Sequence, residues 1–393
     1  MTIDSFQAQI ASMKATLDPW YQALSDPAKA QEIVLEKLLK GYNQTEDGRK
    51  QKSENVGSYS DFKKAYPVRA YADFKPLIDE VVAGNTYALL PEEPLAFMLT
   101  KGTTGESKLF PYTPTHARMY GEYMLRQTIG LSLLKNDFEW LSSYRLNLVS
   151  SANIGTIKVG EKELIKGYAI AVATSLLDDS NILRFKPTPT ADEMKSLPTQ
   201  PSKENWEKRY EFIYQAAREK DVVHISTVPG VAVGFGRYLY RAHHIYPKDV
   251  WQIKYAVLGG FTGIHNRYAP IIHDLFGKKV DVWELYVSTE GAYGSQLDNK
   301  KAWCPFYDHL FFEVQTISGI KQLHEMYPGE IGSLIVSTPD LPRYQLRDLI
   351  LAFEPPYFRC IGRENTKLFP YKFGKLTGKS SFNFSKPNLI SYK

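Results

Sequence analysis

The sequence predicts an α/β protein in which sheets and helices form layers. Segments with strand periodicity and segments with helix periodicity alternate through roughly the first 290 residues. Two glycine-containing loops directly follow predicted strands, which is where ligands bind in folds of this class. The segments between residues 306 and 361 are short and extended, so they predict a smaller β-rich subdomain.

Hydrophobic spacing and chain breakers predict the individual elements. Residues 1–44 are predicted to be helical, and Gly84 ends a helix predicted at 71–82. Residues 45–60 are polar and are predicted to form turns. Further helices are predicted at 116–134, 206–220, 231–243 and 266–276. Strands of the layered part are predicted at 94–100, 109–112, 146–150, 222–228 and 280–287.

Charge and composition argue against several classes of function. The 48 Lys and Arg against 43 Asp and Glu leave a net charge of +5, without the basic patch typical of nucleic-acid binding. Cys304 and Cys360 have no metal-binding spacing, and two cysteines cannot build a disulfide framework. Residues 1–17 lack the apolar segment of a signal peptide, and no apolar run reaches ~18 residues. We therefore expect a cytoplasmic protein.

The loop at 100–108, Thr-Lys-Gly-Thr-Thr-Gly-Glu-Ser-Lys, has the residue types of a phosphate cradle. Its glycines permit a tight turn that directs backbone N–H groups at a polyphosphate. Thr103 and Thr104 add hydroxyl donors, and Lys108 adds a positive charge. No Gly-Lys-Ser/Thr closes the loop, so it is not a Walker motif. On these residues alone, a flexible hairpin loop fits equally well.

Three motifs in order resemble those of a known superfamily. The first loop resembles the phosphate loop of the adenylate-forming enzymes, which include firefly luciferase and acyl-CoA synthetases. Its flanks at 62–67, 71–78 and 97–111 are similar to the Gretchen Hagen family of plant auxin- and jasmonate-conjugating amido synthetases and their bacterial relatives. Tyr-Val-Ser-Thr-Glu at 286–290 resembles the Tyr-x-x-Thr/Ser-Glu segment, and Tyr-Gln-Leu-Arg-Asp at 344–348 resembles the Tyr-x-x-Gly-Asp segment.

The resemblance implies the large N-terminal domain of an adenylate-forming enzyme, and a ligase that uses ATP and Mg²⁺. Such an enzyme converts a carboxylic acid to acyl-AMP and transfers the acyl group to an amine such as an amino acid. Tyr286 is expected to pack on adenine, Glu290 to bind Mg²⁺, and Asp348 to accept the ribose hydroxyls. Lys108, Thr103 and Glu290 are the expected catalytic residues. The expected nucleotide-binding set is Thr100, Lys101, Gly102, Thr103, Thr104, Gly105, Lys108, Tyr286, Ser288, Thr289, Glu290, Asp348 and Arg363.

The acid site follows by analogy with the same family. Helix 116–134, strand 222–228 and the Gly259-Gly260 turn are expected to line it. Aromatic residues make up 13% of the chain, which fits an aryl or apolar acid, although a bulky aromatic core explains the same composition. His224 lies in the predicted strand and is predicted to be a structural histidine with satisfied hydrogen bonds. Neither a nucleic acid nor a membrane is an expected partner.

Four departures from the family pattern affect these expectations. Lys101 stands where Ser is usual, and Ser107 stands where Pro or a basic residue is frequent. Arg347 stands where the family has Gly, which predicts crowding at the ribose or an altered backbone. After the hinge-like Gly362-Arg363 and the segment at 374–376, only residues 377–393 follow, where the family carries a small domain of about 100 residues.

The expected organisation is therefore a large adenylating domain at 1–361, with its β-rich subdomain at about 305–361. Residues 362–393 are expected to form a hinge-like segment and a loose tail in place of the small domain. Because that domain normally contributes to catalysis, two alternatives stay open. The chain could be a pseudoenzyme that binds a nucleotide or an acyl group, or it could transfer AMP to a protein.

Overall fold

The computed structural model describes residues 3–100, 107–178 and 185–364, and the side chains of all of these except 3–10 and 177–178. None of the helices in this described part is long and apolar enough to cross a membrane. Both cysteines are buried and free. The α-helices are α1 Ile3–Ser25, α2 Pro27–Tyr42, α3 Glu46–Lys50, α4 Tyr59–Ala65, α5 Tyr71–Val82, α6 Pro114–Lys135, α7 Ala169–Asp178, α8 Lys203–Ala217, α9 Pro229–His243, α10 Pro247–Val250 and α11 Ala269–Phe276.

The strand predicted at 146–150 is misplaced, because the strand in this region ends at Leu146. The strands form three sheets. They are β1 Ala96–Leu99, β2 Leu109–Tyr112, β3 Tyr144–Leu146, β4 Gly155–Val159, β5 Lys162–Tyr168, β6 Lys186–Thr188, β7 Val222–Thr227, β8 Tyr255–Gly259, β9 Asp281–Val287, β10 Ala292–Ser295, β11 Cys304–Pro305, β12 Phe311–Thr316, β13 Gly319–Gln322, β14 Ile331–Ser337, β15 Tyr344–Ala352 and β16 Phe358–Arg363.

The ends of several helices follow from side chains that cap them. Asp26 accepts a hydrogen bond from the backbone of Lys29, and Pro27 then fixes the first turn of α2. Thr113 accepts a bond from the backbone of His116 at the start of α6, and Asn136 ends that helix in the left-handed conformation. The predicted helix at 71–82 is confirmed residue for residue as α5.

The prediction of turns at 45–60 is wrong for much of that segment, which contains α3 and the start of α4. Thr45 accepts a bond from the Gly48 backbone, and Ser58 accepts one from the Asp61 backbone. These caps accept hydrogen bonds from backbone N–H groups that would otherwise have no partner in a short helix. They can therefore stabilise helices in segments that lack hydrophobic periodicity. The helix predicted at 266–276 is also altered, because Ile264–Tyr268 forms a π-helix before α11.

A seven-stranded sheet lies at the centre of the layered part, in the order β11-β10-β9-β8-β7-β3-β6. The five strands from β6 to β9 in that order are mutually parallel, and β10 and β11 are antiparallel. Helices α8, α9 and α11 contribute to the apolar cluster on one face of the sheet. Helix α6 contributes to the cluster on the other face. The parallel strands are therefore covered on both faces, as expected for this class.

Two smaller sheets complete the arrangement. One has the order β2-β1-β5-β4, and the other is antiparallel with the order β13-β12-β14-β15-β16. The Trp303–Phe358 bridge joins the region of β11 to β16, and both residues lie in the cluster that contains Tyr286. This contact brings the carboxyl end of β9 close to β15 and β16.

Candidate functional site

The loop that follows β1 is closed at its base by a pair of hydrogen bonds. The Thr100 backbone N–H donates to the Lys108 carbonyl at 3.0 Å, and the Lys108 N–H donates to the Thr100 hydroxyl at 3.0 Å. These two bonds continue the β1–β2 hairpin by one step beyond Leu99 and Leu109. The predicted phosphate ligands Lys101, Gly102, Thr103, Thr104 and Gly105 lie outside the described residues.

Lys108, Tyr344 and Glu290 form a connected chain of polar contacts. The Lys108 ammonium donates to the Tyr344 hydroxyl at 3.1 Å, and that hydroxyl donates to the Glu290 Oε1 at 3.0 Å. Burial lowers the pKa of Lys108, and Glu290 opposes this shift while Arg363 and Arg347 add to it. The chain thus brings together two residues of different predicted motifs, 182 positions apart in sequence.

Glu290 is held by hydroxyl groups on its other side as well. The Ser288 hydroxyl donates to the Glu290 Oε2 at 2.5 Å, and Ser288 also contacts the Tyr293 hydroxyl at 2.6 Å. The Glu290 backbone N–H donates back to the Ser288 hydroxyl at 3.1 Å. Thr289 lies between them and is partly exposed. A short turn after β9 therefore presents a largely buried carboxylate whose orientation is fixed by hydrogen bonds.

Asp348 joins the third motif to the second. The Tyr286 hydroxyl donates to its Oδ2 at 2.8 Å, and Arg363 Nε donates to its Oδ1 at 2.8 Å. Arg363 also donates to the Leu346 carbonyl at 3.0 Å. Burial raises the pKa of Asp348, with Arg363 opposing the shift. The structure therefore places Asp348 and Arg363 together, and both carboxylate oxygens already have partners within the protein.

Tyr286 is buried, and its ring is not freely available to stack on a ligand. Its ring is stacked on Trp303, with centroids 4.6 Å apart and planes at 13°. Tyr293 and Phe358 contact it from other directions, and only 7% of Tyr286 is exposed. One face is thus occupied by protein. Sequence reasoning missed Trp303, because nothing in its sequence neighbourhood indicates that it pairs with β9.

Arg347 adopts a backbone conformation that explains the family preference for Gly. Its φ is +67°, in the left-handed region that glycine adopts without steric penalty. The Arg347 carbonyl accepts a bond from the Glu364 backbone at 3.0 Å, and its guanidinium lies 3.9 Å from the Glu364 carboxylate. The pairing of β15 with β16 shifts register directly afterwards, between Leu349 and Ile350. The backbone at Arg347 is therefore one that glycine adopts readily, and the side chain contacts Glu364.

The Gly259-Gly260 turn lies at the carboxyl edge of the central sheet, beside the end of β9. A Cβ on Gly259 would lie 3.1 Å from Val287 and 3.2 Å from Leu285, so the turn packs closely against β9. Gly260 has a φ of +75° and faces Val228. The ends of β7, β8 and β9 thus meet near Tyr286 and Glu290. This is the edge at which α/β folds bind their ligands.

The prediction for His224 is wrong. Both of its ring nitrogens lack a hydrogen-bond partner, although the side chain is only 1% exposed. Burial, assisted by Arg145, holds the pKa of His224 well below its ordinary value, so the ring is neutral. Trp140 and Phe185 contact the ring at centroid distances of 5.1 and 4.3 Å. Aromatic side chains therefore pack against the ring, but its two nitrogen atoms have no hydrogen-bond partner among the described residues.

The N-terminal part of the chain matches a family model over residues 17–161, described as the GH3 family N-terminal domain. No curated protein matches the sequence. This GH3 segment includes β1, β2 and α6, and thus both Thr100 and Lys108.

Solved structures share the fold over most of the chain. The acyl acid amido synthetase AtGH3.15 in complex with 2,4-DB has a TM-score of 0.74 and 16% identity, over 90% of this chain and 71% of that one. A 2-hydroxyisobutyryl-CoA ligase in complex with 2-HIB-AMP and CoA has a TM-score of 0.60 and 15% identity, over 86% of this chain and 68% of that one. The GH3 segment is therefore part of an adenylate-forming fold, which confirms the predicted fold class.

Proposed function

We propose that this chain uses ATP to activate a carboxylic acid and then transfers the acyl group to an amine, such as that of an amino acid. The observation that carries the proposal is the Lys108–Tyr344–Glu290 chain beside Asp348. It combines a cation, a carboxylate suited to Mg²⁺ and a second carboxylate at one edge of an adenylate-forming fold. The solved acyl acid amido synthetase with the same fold supports the transfer to an amine.

The first step would be an in-line displacement at the α-phosphorus of ATP. A carboxylate oxygen of the acid forms a bond to that phosphorus, and the bond to the oxygen bridging the α and β phosphates breaks. Pyrophosphate leaves with both bonding electrons. Catalysis of this kind consists mainly of positioning and charge stabilisation. The Lys108 ammonium, together with Thr103 and Thr104 of the loop, would stabilise the negative charge of the phosphates.

The Glu290 carboxylate and its surroundings are suited to bind Mg²⁺. Mg²⁺ is usually held in such sites by one or two carboxylates and by substrate phosphates, with water completing its shell. Within the described residues, no group of three His, Cys, Asp or Glu side chains could hold a metal alone. Glu290 would therefore bind the ion together with ATP, and its bonds to Ser288 and Tyr344 would keep its oxygens in place. When bound, the ion would neutralise phosphate charge.

In the second step, the amine nitrogen would attack the acyl carbon. The C–O bond to AMP breaks, AMP leaves, and the amine loses one proton to solvent or to a base. The nucleotide would stay at the edge formed by Tyr286, Gly259 and Asp348 during both steps. The proposal thus assigns the adenine and ribose to the carboxyl ends of β8 and β9 and to the start of β15.

The acid is proposed to lie between α6 and the central sheet. Polar atoms in this region lack partners among the described residues: the Tyr112 and Tyr123 hydroxyls, the Gln127 Nε2 and both His224 nitrogens. Unpaired buried polar groups are rare in native proteins and usually indicate a bound water or ligand. Trp140 and Phe185 add flat apolar surface next to His224. An aryl acid that carries a hydrogen-bonding group suits these neighbours.

The test is acid-dependent exchange of labelled pyrophosphate into ATP. Hydroxylated aryl acids, indolyl acids and fatty acids would be compared on the purified chain with Mg²⁺. We expect exchange with one class of acid, and its loss in Lys108→Ala, with Lys37→Ala as a control that removes an exposed charge elsewhere. A folded protein that binds AMP but exchanges nothing would instead support the pseudoenzyme alternative. Label transferred from α-labelled ATP to a protein would support AMP transfer.

A further inference from the structure

A cavity of about 450 Å³ lies away from the nucleotide edge, at the amino end of β9. Asp281 and Trp283 of β9 line it, and Ala269, Pro270 and His273 of α11 form part of its wall. Tyr286 lies five residues beyond Asp281, which corresponds to roughly 17 Å along an extended strand. The cavity shares no lining residue with the candidate adenylating site. Its volume is within the range of small-molecule sites.

The charges around this cavity are predominantly positive. Lys278, Lys279 and Lys301 line it, and Lys279 and Lys301 have no ion pair among the described residues. Lys278 is paired with Asp274. The only lining carboxylate in the described part, Asp281, is already paired with Lys135 at 2.6 Å. Two exposed lysine side chains therefore line the cavity without an unpaired carboxylate among its described lining residues.

Buried polar side chains are among the residues that line the cavity. Trp283 is 3% exposed, and its indole N–H has no hydrogen-bond acceptor. Gln296 is 7% exposed, accepts a bond from the Glu284 backbone at 2.7 Å and lies 3.3 Å from His265. Burial lowers the pKa of His265 to about 4, with Arg359 adding to the shift, so this ring is neutral at physiological pH. The donors among the lining side chains thus include the buried indole N–H of Trp283 and the lysine ammonium groups.

We propose that this cavity binds a small organic anion with at least two negative charges, such as a polycarboxylate or a phosphate ester. The two lysines would bind the anionic groups, and the Trp283 indole would donate to one anionic oxygen. The apolar wall from Ala269 and Pro270 accommodates the carbon skeleton. The unpaired indole N–H is the second, independent observation, because a buried donor without an acceptor carries a free-energy penalty that a ligand oxygen removes.

Indole NMR tests this site directly. The chain has 6 Trp, so a ¹H–¹⁵N spectrum of the indole groups is simple, and Trp283→Phe assigns the Trp283 signal. Citrate and glycerol 3-phosphate are titrated separately, at constant ionic strength, and their comparison distinguishes a carboxylate from a phosphate ligand. We expect saturable movement of the Trp283 signal with at least one of them. The double variant Lys279→Ala/Lys301→Ala should weaken binding by roughly tenfold or more.

Two matched variants separate this site from the alternatives. Lys37→Ala/Lys50→Ala removes the same charge from exposed positions outside the cavity, and should leave the affinity unchanged. Lys108→Ala alters the candidate adenylating site and should also leave it unchanged. A Trp283 signal that stays still with both anions would overturn the proposal. So would equal affinity in the Lys279→Ala/Lys301→Ala variant, or loss of binding in Lys108→Ala.

Discussion

The hydroxyl of Tyr344 donates a hydrogen bond to Glu290 at 3.0 Å, and this bond joins β15 to the turn after β9. The same hydroxyl accepts from Lys108, so one oxygen orients both charged groups of the candidate site. The Tyr344 ring is 1% exposed and packs near Phe74 and Phe110. The core therefore fixes the position of the Tyr344 ring. Through its two hydrogen bonds, the hydroxyl in turn restricts the orientation of Lys108 and Glu290.

Tyr344→Phe removes this hydroxyl and retains the ring. We expect kcat/KM for ATP in pyrophosphate exchange to fall by roughly tenfold or more, because a hydrogen bond to a charged group contributes about 1.5–3 kcal/mol. The requirement for Mg²⁺ should shift to higher concentration, because Glu290 loses one of its orienting bonds. Tyr327→Phe, at a site that is 73% exposed, is the matched control. Equal Mg²⁺ dependence in both variants would contradict the role given to Tyr344.

Substitutions of Arg347 test whether its left-handed backbone conformation destabilises the fold. Arg347→Gly should be more stable than Arg347→Ala by about 1 kcal/mol, because glycine adopts φ of +67° without the Cβ penalty. Both variants lose the contact to Glu364, so their difference isolates the backbone. Urea unfolding followed by circular dichroism measures it. Identical midpoints for the two variants would show that this backbone carries no strain.

Arg343 anchors the start of the strand that carries Tyr344. Its guanidinium donates to both oxygens of Glu313, at 2.8 and 2.9 Å, and Glu313 has no measurable exposure. Arg343→Met leaves that carboxylate buried without its cationic partner, although the Tyr59 hydroxyl still donates to it. Loss of one member of a buried ion pair typically destabilises a protein by about 3–5 kcal/mol. Arg347→Met, at a half-exposed side chain nearby, should change stability by about 0.5 kcal/mol or less. Similar losses in the two variants, measured by urea unfolding, would refute the anchoring role.

His116 predicts a pH dependence of stability with a definite sign. Burial opposes its protonation, but Asp340 at 3.2 Å outweighs burial, so the pKa of His116 is raised. A raised folded-state pKa adds stability that is complete below the unfolded value of about 6.5 and is lost as pH rises through the folded value. The difference in unfolding free energy between the wild type and His116→Gln should therefore shrink from about pH 5.5 to about pH 8.5.

Because the experiment compares the wild type with His116→Gln, the contributions of other titrating groups to the unfolding free energy cancel. His265, whose pKa is lowered to about 4 by burial, has the opposite sign and destabilises the fold as pH falls below about 6.5. Its contribution is the same in the wild type and in His116→Gln, because His265 faces Gln296 and Glu284 and not His116. A difference that grows with pH would show that Asp340 does not hold the proton on His116.

The sequence predicted the members of the site better than their mutual contacts. Lys108, Glu290 and Asp348 could be proposed because each belongs to a short motif that resembles one of the adenylate-forming superfamily, and the first two motifs follow the strands β1 and β9. Tyr344 belonged to a motif too, yet its bond to Glu290 depends on how β15 lies against the central sheet. Trp303 could not be assigned, because its stacking on Tyr286 is a long-range contact without a local sequence signal.

Secondary structure was predicted correctly where hydrophobic periodicity is strong. It was missed where single capping side chains determine whether a helix forms. Helix α5 has one clear apolar face and was predicted with its correct ends. Helix α3 and the start of α4, which have caps from Thr45 and Ser58, were predicted as turns. The π-helix before α11 has one extra residue in its turn, which disturbs the helical period that sequence reasoning uses.

The two partners of Asp348 affect how this protein would distinguish one sugar from another. Its oxygens accept from Tyr286 and Arg363 before any nucleotide arrives. A ribose hydroxyl that reaches Asp348 shares its oxygens with Tyr286 and Arg363, so its bond adds less free energy than a bond to an unpaired carboxylate. Discrimination between ATP and 2′-deoxy-ATP should therefore be weak. The affinity of this protein for nucleotide would then depend on the phosphates and the base far more than on the hydroxyls of the sugar.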